Sequence, residues 1–171
     1  FATTGTEYLY VAILRAANGR LASAVHAIGD AANHRVLDVF ERVAHAAGSM
    51  RLRQRIEHVQ LITPEDQARL AGLGAVASMQ PIHCTQDRPL AERRWGARCS
   101  YAYPWRSLAE LGVPLAFGSD APVEDINPLV GLHAAVTRRR AGQDLSEAWH
   151  PEQALSLNQA LAAYTMGSAY A

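Results

Sequence analysis

Leu115-Ala116-Phe117-Gly118-Ser119-Asp120-Ala121-Pro122 is a short apolar run that stops on a carboxylate at a turn. Two upstream segments share the layout: Ala24-Val25-His26-Ala27-Ile28-Gly29-Asp30 and Arg55-Ile56-Glu57-His58-Val59-Gln60 each end on a histidine. If all three runs are parallel strands of one sheet, His26, His58 and Asp120 converge at its carboxyl edge, where α/β proteins bind metals and substrates.

The surrounding chain alternates strand-like runs with amphipathic stretches, which argues for parallel βα units over hairpins or a helical bundle. Residues 7–17 keep helical spacing up to Gly19, and residues 21–27 form the first strand. Asp30 is placed to cap a helix whose apolar positions Val36, Phe40, Val43 and Ala47 run to Gly48. A second strand covers residues 53–59. Thr63-Pro64-Glu65-Asp66 then supplies an N-cap, a proline in the first turn and early acids for a helix reaching Gly72. The third strand is 75–79 and the fourth 115–118, with a short helix over 106–111 between them. Asn127-Pro128 opens a helix through about Arg140, Pro151 a short one, and Ser156 with Gln159 caps the last, over 157–165. Residues 80–103 contain two prolines and no clean period, so they read as a long irregular lid or binding segment. The strand ends recur at intervals that straddle the roughly 31 residues per unit of a ~250-residue eightfold barrel. The expected fold class is therefore α/β, a partial (β/α)8 TIM barrel, with no internal duplication.

Composition narrows the function. The 171 residues are 49% apolar and carry sixteen basic and sixteen acidic side chains, so a globular core is expected and no overall field would hold nucleic acid or an anionic membrane. A small-molecule substrate fits better. Arg138-Arg139-Arg140, the one dense basic run, falls at an expected helix end where cations favour the macrodipole, and reads as a solvated face. Cys84 and Cys99 are too few and too far apart for a disulfide scaffold or a metal pair, which favours a reducing, cytoplasmic setting. No apolar run approaches the roughly 18 residues of a membrane span. A start on Phe1 and an end just past a helical pattern suggest a segment of a longer protein, with 1–171 as one unit.

Two neutral imidazoles and a carboxylate form a ligand set for Zn or a related divalent ion that leaves positions open for water. His26, His58 and Asp120 supply it, although each alone has a plainer role as a core histidine or a turn-closing aspartate. Asp120 is the catalytic candidate, able both to bind metal and to accept a proton from attacking water. Glu57 is expected to face away from His58 by strand alternation, and Asp30 to cap its helix. Gln80, His83 and Asp87 follow the third strand and are candidate substrate contacts, with a solvated loop the equal alternative. His34, His45, His133 and His150 sit in or beside helices, where surface or packing roles outweigh ligation. Trp95, Tyr101, Tyr103 and Trp105 read as packing before they read as a pocket wall. No Gly-x-Ser-x-Gly elbow, phosphate loop or dinucleotide fingerprint is present, which leaves metal-assisted chemistry in the lead.

In chain order, His26-Ala27-Ile28-Gly29-Asp30, Arg55-Ile56-Glu57-His58, Met79-Gln80-Pro81, Tyr103-Pro104-Trp105-Arg106-Ser107-Leu108, Gly118-Ser119-Asp120-Ala121-Pro122-Val123 and residues 160–171 resemble the amidohydrolase superfamily. The closer resemblance is to its metal-dependent branch that includes N-substituted formamide deformylases. It implies a (β/α)8 barrel whose strands five to eight lie in this chain, with His26 and His58 as metal ligands and Asp120 as the strand-eight ligand and proton shuttle. One or two divalent ions are implied, Zn foremost, together with hydrolysis of a non-peptide C–N bond (amide, formamide or related) by metal-activated water. The family's His-x-His pair, its strand-four ligand and its β-sandwich have no counterpart here. Half a barrel also leaves two sheet edges unpaired, so the chain alone is expected to be inactive and poorly stable. The competing expectation is a non-catalytic half-barrel remnant that associates through those edges, as a homo-oligomer or with a partner. An anionic substrate held at the Gly118-Ser119 turn is a weaker expectation, because few basic residues lie nearby in sequence.

Overall fold

Strands β1 (Ala24–Ala27), β2 (Arg55–His58), β3 (Val76–Met79) and β4 (Leu115–Phe117) pair in parallel and in chain order in the computed structural model, which describes residues 4–47 and 52–171. Helices α1 (Thr6–Asn18), α2 (Asp30–Ala47), α3 (Pro64–Gly72), α4 (Pro81–Trp95), α5 (Trp105–Glu110), α6 (Pro128–Thr137), α7 (Leu157–Ala162) and α8 (Ser168–Tyr170) precede, connect and follow them. Each crossover contains at least one helix, so the architecture is the α/β, partial-barrel arrangement expected from the strand-helix alternation. Gly48 lies outside the described residues.

The register explains which face is core. Val25 pairs with Ile56 and Ile56 with Ala77, while Met79 pairs with Phe117. Ile56, Ala77, Met79 and Phe117 are buried with Val36, Leu37 and Phe40 of α2, Leu70 of α3, and Trp105 and Leu108 of α5. His26, Glu57, Ser78 and Ala116 form the adjacent cross-strand row, on the opposite face. Helix starts follow local chemistry. Thr63 Oγ1 accepts the Asp66 N–H at 3.3 Å with Pro64 in the first turn, and Ser156 and Gln159 make a reciprocal capping box. Asp30 opens α2, one carboxylate oxygen accepting the Ala31 N–H and the other Arg98 Nη1 at 2.7 Å.

Two expectations are corrected. Residues 80–103 are not an irregular segment: they form α4 and a 3-10 stretch, Gly96–Tyr101. Pro81 is tolerated because it opens the helix, and the first turn is buried all round, from Pro81 through Thr85, so no polar stripe marks a helical period. Pro89 lies inside the helix, and without an N–H it leaves the Thr85 carbonyl free. Arg140 Nε donates to that carbonyl at 3.1 Å and repairs the gap.

The arginine run is a solvated face only in part: Arg140 is exposed and Arg139 half-buried, but Arg138 is not solvated. α6 ends at Thr137, and Arg138 takes a left-handed φ of 57° and is 1% exposed. Its Nε donates to the Trp149 carbonyl and its Nη1 to the Tyr103 carbonyl, each at 2.8 Å, while the guanidinium lies 4.3 Å from the centre of the Trp105 ring. Carbonyls remote in sequence, not solvent, set its position. Among the described residues no helix is long and apolar enough to cross a membrane.

Gly167 shows how tightly the last helical segment seats on β4. A Cβ there would sit 1.9 Å from the Leu115 carbonyl oxygen, and Ser168 Oγ donates to the Phe117 carbonyl at 2.8 Å. Gly167→Ala should therefore lower stability by about 1–3 kcal/mol, seen as a lower urea midpoint; an unchanged midpoint would contradict so close an approach.

Arg69 joins α3 to α2 through Asp38, Glu41 and Asp66 at 2.7 to 2.9 Å. Its hydrogen bond holds the Glu41 carboxyl below its ordinary value of 4.5. A depressed folded value means the stabilisation is complete above the unfolded value and disappears as pH falls through the folded one. Arg69→Gln should accordingly flatten the loss of stability on acidification below pH 4.5 relative to the parent; parallel acid profiles would remove this linkage.

Candidate metal and catalytic site

The carboxyl edge of the sheet is set by one buried amide. Asn33, in the first turn of α2 and fully buried, donates its carboxamide to the Gly29 carbonyl at 3.0 Å and the Leu61 carbonyl at 3.1 Å, with those of Ala27 and Ile28 at 3.3 Å. The turn after β1 is thereby tied to the turn after β2. Val59 N–H to Ala27 O, at 3.1 Å, and Leu61 N–H to Ile28 O, at 2.9 Å, extend the pairing past the strands.

His58 ends β2 with a φ of 79°, followed by Val59 at 45°. These left-handed conformations break the strand alternation. The imidazole lies edge-on to His26, with ring centroids 4.4 Å apart, and 5.9 Å from His83. Alternation alone would have separated Glu57 from the site face, but the register pairs it with His26, and it binds Arg55 Nε at 2.7 Å. Asp120, in the turn after β4, is also left-handed, with a φ of 61°. Each such non-glycine residue costs on the order of 1–3 kcal/mol, and strain of this kind concentrates at functional sites.

Three side chains converge. One ligand atom from each of His58, His83 and Asp120 lies within 4.8 Å of the others. His83 Nε2 is 3.5 Å from Asp120 Oδ2, and its Nδ1 is 3.5 Å from Glu124 Oε1. His83 is placed by the first turn of α4, its N–H bonded to the Gln80 carbonyl at 3.1 Å. Burial, then the neighbouring His26, push the His58 pKa below its ordinary 6.5 and outweigh the opposing pull of Asp120, so the ring favours its neutral, ligating form. His58 Nδ1 is buried with no hydrogen-bond partner, as is Gln80 Oε1. An orphaned imidazole nitrogen beside a second imidazole and a carboxylate is a donor set that fits a divalent cation.

His26 is exposed and meets His58 edge-on, but it lies outside the group of three. Gln80 is buried beside that group at the head of α4. Asp87 turns away and accepts the Tyr103 hydroxyl at 3.0 Å, leaving it a structural role. Tyr103 and Trp105 are core residues with rings 6.1 Å apart. His34 faces Asp66, His45 the Glu41 carbonyl, His133 the Thr137 hydroxyl and His150 Glu152, all outside the cluster. Sequence reasoning missed Glu124 and Asn33. Nothing in the loop marks Glu124, but Asn33 does leave a trace, as a polar residue in helical register with Val36, Leu37 and Phe40.

Comparison with known proteins matches the chain to a family. Residues 2–171 fit the family model described as Amidohydrolase family. Protein LONG AFTER FAR-RED 3 of Arabidopsis thaliana is 41% identical over 150 residues, which are 86% of this chain and 25% of that protein. Putative amidohydrolase YtcJ of Bacillus subtilis (strain 168) is 33% identical over 147 residues, 85% of this chain and 27% of that protein. The chain thus spans about a quarter of the length of these curated relatives. Among solved structures, an uncharacterized metal-dependent hydrolase from Pyrococcus horikoshii OT3 superposes with a TM-score of 0.85 at 32% identity, over 98% of this chain and 33% of that one. One from Pyrococcus furiosus does so at 0.83 and 30%, over 99% and 33%. A triazine hydrolase variant, 20% identical with a TM-score of 0.62, shares the fold. With the family model covering nearly all of its length, the chain belongs to the amidohydrolase family.

Proposed function

We propose that the chain supplies strands five to eight of the catalytic barrel of a metal-dependent hydrolase that cleaves a non-peptide C–N bond, in an amide, formamide or related small molecule. The observation that carries this reading is the convergence of His58, His83 and Asp120 at the carboxyl edge of a parallel sheet. His58 and Asp120, with His26 as the resemblance implies or His83 as the distances favour, would hold a divalent ion, Zn foremost. Such an ion, when bound, supplies Lewis acidity that polarises a carbonyl and lowers the pKa of water toward ~7.

The chain's own residues do the rest. Asp120 accepts a proton as water adds to the carbonyl carbon, and it returns that proton to the nitrogen as the C–N bond of the tetrahedral intermediate breaks. The products are a carboxylic acid and an amine. His83, between Asp120 and Glu124, fixes the direction of the Asp120 carboxylate. The buried Gln80 carboxamide contributes to the wall of the site. The formamide deformylase branch remains the nearest substrate expectation, and a cytoplasmic setting agrees with the free, buried Cys84 and Cys99.

In the whole enzyme, chelation should abolish hydrolysis and a divalent ion restore it, and Asp120→Asn should lower kcat by about 10²- to 10⁴-fold. Unchanged turnover in Asp120→Asn would reject the assignment. His58→Ala should lose bound metal, as measured by elemental analysis, whereas full retention would exclude His58 from the ligand set. A second reading, an association module, is favoured by β1 and β4 each having a strand neighbour on one side only among the described residues. Size-exclusion chromatography of residues 1–171 separates the two: a stable oligomer without metal supports the module, and a soluble monomer opposes it.

A further inference from the structure

The end of α6 gathers positive charge: among the described residues Arg138, Arg139 and Arg140 form no ion pair with a carboxylate, although Asp144 and Glu152 lie near enough to interact with it. Among the described residues, Arg138, Arg139 and Arg140 direct their donors to backbone carbonyls: Arg138 to Trp149 and Tyr103, Arg139 to Gln143, and Arg140 to Thr85. Together with Arg88 of α4 they line a cavity of about 160 Å³. Glu147 is the acid on its wall, and both of its oxygens are engaged, one by Gln143 Nε2 at 2.9 Å and one by the Asp144 N–H at 3.0 Å. Arg139 Nε is buried with no hydrogen-bond partner.

A buried guanidinium donor left unpaired is costly, and several guanidinium groups around one small cavity match a tetrahedral oxyanion. We infer that this cavity binds such an anion, either free phosphate or the phosphoryl group of a larger molecule. It shares no residue with the His58, His83 and Asp120 cluster. Arg139 supplies the unpaired Nε, Arg140 supplies charge from the loop after α6, Arg88 supplies charge from α4 with its Nε held by Glu92 at 2.9 Å, and the buried Arg138 supplies fixed charge at the back. Pro89 contributes indirectly, since the carbonyl it frees is what anchors Arg140.

The test is calorimetric titration and thermal unfolding of the whole protein with inorganic phosphate and with O-phosphoserine, against chloride at equal ionic strength. Saturable binding and a Tm that climbs with ligand concentration are expected, and the tighter of the two ligands identifies the source of the anion. Arg139→Gln/Arg140→Gln should weaken binding by about tenfold or more. Arg93→Gln/Arg94→Gln, which removes the same charge from the exposed face of α4, should change it by less than about twofold. If the first double variant does not fold, Arg88→Gln replaces it with the same expectation. The titrations are repeated with chelator present, where binding should persist. Absence of saturable binding to either ligand, equal losses in the cavity and surface variants, or binding that vanishes with chelator would each overturn the inference.

Discussion

Parallel pairing in chain order is the constraint on which the site depends. In a parallel ladder every strand leaves the sheet at the same edge, so side chains separated by more than sixty residues, His58 and Asp120, emerge beside one another without any long-range recognition of their own. The ladder does not by itself aim them. His58 falls in the core-facing row by register, and its left-handed φ moves the imidazole out of that row toward His26. Asn33 ties the turns after β1 and β2 together, and the Tyr103 N–H donates to the Gln60 carbonyl at 2.7 Å. Fold topology therefore chooses the neighbourhood, and a few buried hydrogen bonds determine the aim.

A second set of contacts connects the site to the far end of the chain. α4 begins with His83 in its first turn and contains Pro89 two turns later, where the helix would otherwise lack a partner for the Thr85 carbonyl. Arg140 fills that role from the loop after α6, while its neighbour Arg138 gathers the Tyr103 and Trp149 carbonyls. Helix α4 is thus buttressed by residues about fifty positions further along, and among the described residues the arginines that do so form no ion pair with a carboxylate. Arginine suits this use because its planar fork serves several carbonyls at once and stacks on Trp105, which an ammonium group could not do.

The strand order and most helix starts were legible because they rest on local chemistry: apolar runs closed by turns, Thr63-Pro64, Asn127-Pro128 and the Ser156 and Gln159 box. What was not legible is non-local. The period of α4 disappears because both sides of its first turn are buried, so hydrophobic patterning has no polar face to contrast with. Arg138 looks like any helix-terminal cation until the fold brings carbonyls to it. Likewise, His58 and Asp120 could be picked out as strand-end residues, but their left-handed backbone, and the entry of His83 between Asp120 and Glu124, follow from how three separate turns meet.

That meeting has an energetic requirement. Three left-handed side-chain-bearing residues, His58, Val59 and Asp120, together cost several kcal/mol, against a net stability of about 5–15 kcal/mol for an ordinary domain. Among the described residues the outer strands β1 and β4 are each paired on one side only, which leaves them little margin for such strain. The strain at His58 is offset locally, by Asn33 and by the backbone bonds that continue past β1 and β2. At Asp120 the support is thinner: the Val123 N–H returns to the Asp120 carbonyl at 2.8 Å, and His83 faces the carboxylate from 3.5 Å. Of the two, Asp120 is therefore the residue less firmly held by the chain's own hydrogen bonds, and His58 the more rigidly placed.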